Sequence, residues 1–456
     1  MMVRRIVRRI VQRLWNADTQ AIVLNAGSMV GATGVTSALG FFYWWLATHL
    51  FLPEAVGFAS ATISTMTLLG SASVLGFGTL LMGELPLHRG RELSLITAAL
   101  LVTGTVGGLL GLLFALAAPF FSHDLRSLTD DWRNTALFTC GVALTAVTLV
   151  IDKALIGLLR GGLQLWRNTI FAVTKLGALA LAAIWLSGRF GLTIYATWAV
   201  GNLVSLLFLA ALVVIKRVPL NRYSPQWRLL RGLGRAALSH HGLNLSLQFA
   251  DLALPLVVTI VLSATANAYF STAWLIAAFI FTGPYALSLV LYAVGAADAA
   301  LLQRKVRFTL AFAATAGLIA YAVLLIGANW VLRLFGHAYA TEATWTLRVI
   351  GLGALPLIIK DHYVAICRIR RQVGRATRLV IVGSTLELGM AALGAHFGGL
   401  RGVSIGWLTG LVIEAALMVR PVYEVAAFTS PWQRRKMTQL APPMAQVAFD
   451  DTPTHG

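Results

Sequence analysis

Long apolar stretches separated by short polar breaks run through most of this chain. Each stretch holds about the 20 apolar residues that a helix needs to cross a bilayer. The breaks carry proline, glycine and charged residues, which are typical of turns. The pattern predicts twelve membrane-spanning helices, at 20–48, 57–82, 93–119, 134–157, 168–187, 192–214, 236–262, 268–294, 308–330, 345–367, 378–397 and 402–420.

The two ends of the chain depart from this pattern. Within 1–17, apolar side chains such as Val3, Ile6 and Val7 recur at helical spacing, and arginines fill the other face. This predicts an amphipathic helix on the cytoplasmic face with anionic lipids as its partners. The alternative is a topology signal alone. The polar, proline-bearing segment 421–456 is predicted to be a disordered cytoplasmic tail.

Composition places the chain in lipid. Hydrophobic residues make up 58% of the 456 residues and charged residues 12%, whereas a soluble domain has about 25% charged residues. The formal net charge of +19 does not indicate a nucleic-acid partner, because the basic residues lie in short breaks and not on one folded domain.

The positions of the basic residues predict the orientation of the spans. Of the 36 Lys and Arg residues, 27 fall at the two ends and in the even-numbered breaks, and 5 fall in the odd-numbered breaks. Because positively charged loops stay in the cytoplasm, this ratio predicts that both termini are cytoplasmic. The remaining four lie within or beside spans, at Lys153, Lys175, Arg348 and Lys360.

The spans divide into two six-helix halves. The longest cytoplasmic break, 216–235, separates a first half at 18–215 from a second half at 236–420. Paired halves are common among secondary transporters, whose substrates bind between them. The predicted fold class is an all-α polytopic membrane protein with a MATE-like arrangement of two halves.

The sequence lacks motifs for enzymatic chemistry. It contains no G-x-x-x-x-G-K-[ST] loop and no H-E-x-x-H. Cys140 and Cys367 lie in apolar segments and match neither a metal-binding nor a disulfide pattern. The outer breaks are also too short for a catalytic domain. We therefore expect transport and not catalysis, with no catalytic residue, no metal and no cofactor.

A polar stripe interrupts the seventh predicted span. His241, Asn244, Gln248 and Asp251 are spaced 3, 4 and 3 residues apart on one helix face, and His240 flanks them. Lipid cannot satisfy such a stripe, so it must face protein or water. Two interpretations remain. The stripe lines a hydrophilic cavity between the halves, which we favour, or it joins helices by hydrogen bonds.

Two lysines within spans are candidates for substrate binding. Charges at mid-membrane cost about 2.5–3.5 kcal/mol, so each one needs a reason. Lys175 and Lys360 could hold a phosphate group that arrives from the cytoplasmic leaflet. For Lys360 the alternatives are an ion pair with Asp361 or with a neighbouring helix, or snorkelling to the interface.

Three acids within spans are candidates for ion coupling. Glu387 and Glu414 lie near the middle of the last two predicted spans, and Asp251 belongs to the polar stripe. Any of them could couple transport to protons. The alternative is that they pair with a Lys or His elsewhere in the fold.

Several turns resemble those of oligosaccharide flippases. The resemblance lies in the turn LPEAVGF at 52–58 with the small-residue run to Gly76-Phe77-Gly78, in LFGHAYA at 334–340 and in GGLRGVS at 398–404. It extends over nearly the whole chain, to about Pro421. On these residues the chain resembles the Wzx-type branch of the MOP (MATE-like) exporter superfamily.

The resemblance implies a transporter of the bacterial inner membrane that flips undecaprenyl-diphosphate-linked oligosaccharide from the inner to the outer leaflet, for lipopolysaccharide or exopolysaccharide synthesis. It implies polysaccharide polymerase and assembly proteins as partners. The family's cavity is cationic, and this chain has few intramembrane arginines to supply that charge. Other side chains would then hold the diphosphate and glycan: Lys175, Lys360, His240, His241, Asn244 and Gln248. A MATE-type multidrug or cation antiporter shares the architecture and is the main alternative, and a membrane enzyme or scaffold of glycan assembly is a further one.

Overall fold

The structure is an assembly of long helices. The computed structural model describes residues 17–88, 90–185, 191–215, 223–225, 227–297 and 302–427. The first half contains α1 (Ala17–Leu50), α2 (Pro53–Ser73), α3 (Phe77–Glu84), α4 (Glu92–Phe121), a 3-10 helix (His123–Leu128), α5 (Trp132–Gly157), α6 (Gly161–Trp185) and α7 (Leu192–Ile215). The second half contains α8 (Trp227–Val261), α9 (Ala264–Ala297), α10 (Leu302–Arg333), α11 (His337–Gly351), α12 (Ala354–Ile369) and α13 (Val373–Ala427).

Local sequence sets several helix ends. Pro53 occupies the first turn of α2, where its missing N–H costs no hydrogen bond. The Asp131 side chain accepts a hydrogen bond from the backbone N–H of Arg133 at 3.0 Å and caps α5. Gly76 has φ 83° between α2 and α3, and Gly399 has φ 57° within α13. These are left-handed conformations that glycine adopts without steric cost.

The predicted membrane spans are confirmed in part. Within the described ranges, nine helices are long and apolar enough to cross a membrane, and α11 with α12 forms a bent pair that makes a tenth candidate. The chain is therefore a multi-pass, all-helical membrane protein. The count of twelve crossings and the cytoplasmic position of both termini stay predictions.

Two predicted spans are broken helices. The span at 57–82 consists of α2 and α3, which separate at the left-handed Gly76. The span at 345–367 consists of α11 and α12, which bend by 42°. The last two predicted spans form the two segments of α13, which are separated by non-helical backbone at Gly398 and Gly399. Hydropathy alone cannot locate such breaks, because they leave the apolar length unchanged.

Three predicted segments differ from the structure or lie beyond it. The break at 216–235 is partly helical, since α8 begins at Trp227. The predicted tail from 421 begins within α13, which continues to Ala427. The amphipathic helix at 1–17 and the rest of the tail lie outside the described residues, apart from Ala17.

The two halves meet where α2 packs against α9. The Asn267 side-chain amide donates to the backbone carbonyl of Gly57 at 2.7 Å, and both residues are buried. The Asp124 carboxylate accepts from the backbone N–H of Ala264 at 2.7 Å. A Cβ on Gly57 would lie 1.7 Å from the carbonyl oxygen of Ala264. The halves are thus closed against each other at the side that the charge pattern assigns to the outside.

Candidate functional site

Close packing within α13 creates the central charged cluster. Gly402, Gly406 and Gly410 recur every four residues, and they contact the segment before the Gly398–Gly399 break. A Cβ on Gly410 would lie 2.7 Å from the Cα of Glu387. Small residues let two helices approach this closely in a membrane. Glu414 lies one further turn along the same face and therefore lies opposite Gly383, one turn from Glu387.

Gly383 provides the space for the second carboxylate. A Cβ at this position would lie 2.0 Å from the Cδ of Glu414. Glycine at 383 therefore lets the Glu414 carboxyl group reach between the two segments of α13. The sequence contains this signal in its spaced glycines, but the hydropathy pattern does not reveal it.

Lys360 of α12 binds both carboxylates. Its Nζ lies 2.8 Å from Oε1 of Glu387 and 2.9 Å from Oε2 of Glu414. The three residues are 5%, 2% and 0% exposed. Trp407 Nε1 donates to Oε2 of Glu387 at 2.8 Å. With one ammonium group for two carboxylates, this charged cluster (Lys360, Glu387 and Glu414) carries an excess acid in the protein interior.

Asp251 of α8 is a further acid near this cluster. The charges of Lys360 and Glu387 act on it, and its side chain is solvent-accessible. Lipid cannot satisfy a carboxylate, so this side chain must face water or protein. This arrangement supports the cavity interpretation of the polar stripe on α8.

The other members of the stripe face the same side of α8. Gln248 is exposed, and His241 and Asn244 are partly exposed. His241 Nε2 lies 3.3 Å from the carbonyl oxygen of Ala72 on α2. Arg368 of α12 donates to Oδ1 of Asn244 at 3.1 Å. The stripe therefore combines an open face with contacts to α2 and α12. The side chain of His240 lies outside the described residues.

A narrow pocket adjoins the stripe between α8, α9 and α12. Asp361, Arg368, Ser288, Tyr285 and Tyr292 line it, together with apolar side chains. Arg368 also lies over the ring of Tyr292, with 6.0 Å between the guanidinium carbon and the ring centroid. Sequence reasoning assigned Arg368 to a cytoplasmic loop, because charge counting cannot show that the side chain turns inwards.

Lys175 has a separate environment in the first half. Its Nζ lies 3.8 Å from the ring centroid of Trp198, 4.8 Å from that of Phe171 and 4.9 Å from that of Tyr43. Such cation–π contacts stabilise an ammonium group that has left water. The Tyr43 hydroxyl is fixed by hydrogen bonds to Ile194 O at 3.0 Å and to Thr197 Oγ1 at 2.7 Å. Lys175 is 4% exposed.

No acid compensates Lys175 in the part of the chain that the structure describes. The structure therefore does not bring Lys175 and Lys360 together as one clamp. Lys360 lies in the second half between two glutamates, which confirms its predicted alternative of an ion pair with a neighbouring helix. Lys175 lies in the first half, in what we call the aromatic cage (Tyr43, Phe171 and Trp198).

Sequence reasoning missed two further polar sites. Arg167 and Asp152 form a two-pronged ion pair, with Nε–Oδ1 at 2.7 Å and Nη2–Oδ2 at 2.6 Å. Arg167 belongs to the predicted cytoplasmic break before the span at 168–187, yet it is 3% exposed. His362 is fully buried, with Nδ1 at 2.7 Å from Ile358 O and Nε2 at 3.1 Å from Thr309 Oγ1. Across the described residues, no three His, Cys, Asp or Glu side chains converge to hold a metal ion.

This architecture is that of the MATE transporters of the MOP superfamily. A multidrug resistance MATE family transporter in an inward-facing conformation matches with a TM-score of 0.68 and 17% identity, over 90% of this chain and 98% of that one. An outward-facing structure of a multidrug resistance MATE family transporter matches with a TM-score of 0.61 and 18% identity, over 94% and 98%.

A third match is a MOP superfamily transporter from Pyrococcus furiosus whose binding pocket is described as having reverse polarity. Its TM-score is 0.60 at 15% identity, over 94% of this chain and 98% of that one. No family model matches the chain, and neither does a curated protein sequence. At identities this low the similarity establishes the fold alone.

Proposed function

We propose that this protein is a transporter that flips undecaprenyl-diphosphate-linked oligosaccharide from the inner to the outer leaflet of the bacterial inner membrane. The fold supports transport, because its solved examples include inward-facing and outward-facing MATE transporters. Nothing in the described site supports catalysis, so we favour a transporter over a membrane enzyme of glycan assembly. The basic N-terminus would bind anionic lipids, and polymerase or assembly proteins would receive the flipped product.

Alternating access is supported by the closed contact between the halves. In the predicted orientation, Gly57, Asn267 and Asp124 join the halves at the outer side of the membrane. The TM-score is higher for the inward-facing relative, 0.68, than for the outward-facing one, 0.61. Both observations fit a cavity that receives its substrate from the cytoplasmic side.

The observation that carries the flippase proposal is Lys175, a buried lysine that has no acidic partner among the described residues. A transporter of organic cations gains nothing from an ammonium group in its first half, because that charge repels the substrate. A diphosphate is attracted by it. Asn244 and Gln248 on the open face of α8 offer amide donors and acceptors that suit sugar hydroxyls.

The charged cluster would couple transport of the substrate to an ion gradient. Its excess acid can take up or release a proton, or exchange it for a cation, as the cavity opens to either side. Asp251 links the cluster to the cavity. We assign Asp251, Glu387 and Glu414 to coupling, and we assign Lys360 to the positioning of the two glutamates and not to the diphosphate.

A multidrug or cation antiporter is the second candidate, because acids outnumber bases in the group of charges around Lys360. Asp251, Glu387 and Glu414 lie near Lys360. This arrangement would attract an organic cation as well as a coupling ion. The two candidates therefore differ in which half contacts the substrate, and they differ in substrate charge.

Reconstitution separates the two candidates. The full chain is incorporated into liposomes with fluorescent undecaprenyl-diphosphate-linked oligosaccharide, and quenching from outside measures the flipped fraction. We expect protein-dependent flipping that Lys175→Met reduces and the exposed-lysine variant Lys153→Met does not. In parallel, ethidium transport is measured in the same vesicles. Ethidium transport without flipping of the lipid would refute the flippase and establish the antiporter.

A further inference from the structure

We propose that the ion which the charged cluster exchanges during transport is a proton and not a metal cation, and that Glu414 is the group that binds it. This inference rests on the proposed function, in which the cluster couples transport to an ion gradient. It goes beyond that function because it identifies the ion and assigns it to one oxygen atom. The choice follows from which of the carboxylate oxygens in the cluster already meet a donor.

Three of the four carboxylate oxygens of Glu387 and Glu414 already meet a donor. The Lys360 ammonium lies 2.8 Å from Oε1 of Glu387 and 2.9 Å from Oε2 of Glu414. Trp407 Nε1 donates to Oε2 of Glu387 at 2.8 Å. Oε1 of Glu414 is buried and has no hydrogen-bond partner among the described residues. One oxygen atom, on a side chain that is 0% exposed, is therefore left for an incoming ion.

One remaining oxygen does not make a site for a metal cation. Hard metal cations take about six oxygen ligands, as Mg²⁺ and Ca²⁺ do, and the Lys360 ammonium already occupies the position between the carboxylates. Across the described ranges, no three His, Cys, Asp or Glu side chains converge as ligands. A Cβ on Gly383 would lie 2.0 Å from the Cδ of Glu414, so the helix backbone fills the space beside this carboxyl group.

A proton fits the same place, because it needs one oxygen atom and no further ligand. With both glutamates ionised, the cluster carries one negative charge more than Lys360 compensates, and such a buried charge is costly. The two glutamates are not equivalent. Glu387 accepts a hydrogen bond at each of its oxygens, whereas Glu414 keeps one oxygen without a donor. Glu414 therefore gains most from protonation, and the protonated cluster is electrically neutral.

Two further acids link the buried cluster to water. The charges of Lys360 and Glu387 act on Asp251 of α8, which is exposed. The charges of Lys360 and Asp251 act on Asp361 of α12, which is partly exposed and lines the narrow pocket between α8, α9 and α12. In the release step, the proton leaves Glu414, its bonding electron pair stays on the carboxylate oxygen, and ionised Asp251 or water accepts the proton. Uptake is the reverse step.

Infrared difference spectroscopy of the full-length protein in lipid tests the proton site without any substrate. Spectra are recorded while the pH is raised, in K⁺ buffer and in Na⁺ buffer of equal ionic strength. We expect a band from a protonated carboxyl group that disappears at alkaline pH, identically in both buffers. Glu414→Gln should lack this band. Glu424→Gln is the matched control and should retain it, because Glu424 forms an exposed pair with Arg420 on the same helix.

Two infrared results would overturn the proposal. One is a wild-type spectrum that equals the spectrum of Glu414→Gln at every pH. The other is a band that Na⁺ abolishes, since a metal cation would then compete with the proton for the site. If Glu414→Gln does not fold, Glu414→Met provides a second neutral variant, and the comparison of the two buffers needs only the wild-type protein.

Reconstituted vesicles separate this inference from the proposed function. One pH unit is a tenfold ratio of proton concentrations, so a gradient of one unit should shift the transbilayer ratio of fluorescent undecaprenyl-diphosphate-linked oligosaccharide by up to about tenfold. A Na⁺ gradient of equal size should not shift it. Flipping driven by Na⁺ and not by pH would overturn the proton while the flippase stands. Absence of flipping by the wild-type protein would instead overturn the proposed function, and the infrared band would still decide the proton site.

Discussion

Removal of the Lys360 charge is expected to destabilise the protein strongly. In Lys360→Met, the carboxylates of Glu387 and Glu414 lose an ammonium group at 2.8 and 2.9 Å, at 2% and 0% exposure. Deleting one partner of a buried ion pair costs about 3–5 kcal/mol, because the remaining charge stays buried without compensation. Here two carboxylates remain side by side, so we expect a loss at the upper end of that range.

Equilibrium unfolding in mixed micelles measures this loss. The double variant Lys360→Met/Glu414→Gln removes one charge of each sign, and we expect it to regain about 1 kcal/mol or more relative to the single variant. Arg420→Met is the control, because it breaks a pair with Glu424 that is 86% and 51% exposed and should change stability by less than about 1 kcal/mol. A Lys360→Met protein as stable as Arg420→Met, or a double variant no better than the single one, would refute the reasoning.

Three further substitutions test other contacts. Gly57→Ala places a methyl group 1.7 Å from the carbonyl oxygen of Ala264. Distances between spin labels on α2 and α9, measured by double electron–electron resonance, should therefore lengthen. Unchanged distances would contradict the closed contact. Glu414→Gln removes the excess acid of the charged cluster. Transport driven by an imposed pH gradient should therefore fall, while exchange at equal pH should persist. Loss of both would indicate a structural role instead. Arg167→Met leaves the partly exposed Asp152 without its cation and should lower unfolding free energy by about 2–4 kcal/mol, whereas a change below about 1 kcal/mol would show that water compensates this acid.

The architecture follows largely from hydropathy, because lipid imposes one length on every helix that crosses it. The apolar stretches correspond to the long helices α4, α5, α7 and α10 within a few residues at most ends. The breaks within spans were missed for the same reason. Gly76 and the bend between α11 and α12 change the direction of the backbone without changing its apolar length.

The candidate residues were found more readily than their partnerships. Asp251, Lys360, Glu387 and Glu414 stand out in the sequence, because ionisable groups in spans are rare and expensive. Their convergence depends on α12 crossing α13 and on the break at Gly399, which turns the chain back on itself. Glycines at four-residue spacing are a sequence signal for close helix packing, but the spacing does not identify the segment that they contact.

Lys175 shows the opposite case. Its position within a predicted span was evident from the sequence. The three aromatic residues that surround it come from positions 43, 171 and 198. Only the packing of α1, α6 and α7 brings them together, since no local spacing rule connects residues so far apart.

The sequence by itself determined that this chain is a helical membrane protein, which polar residues lie within its spans, and the charge bias that predicts its orientation. These properties depend on transfer of each segment between water and lipid, which is a local quantity. The tertiary structure decided which charges are compensated. Lys360 contacts two glutamates, Arg167 contacts Asp152, and Lys175 contacts three aromatic rings and no acid within the described ranges. Compensation is a property of pairs at distances of a few ångströms, and the packing of helices distant in sequence sets those distances.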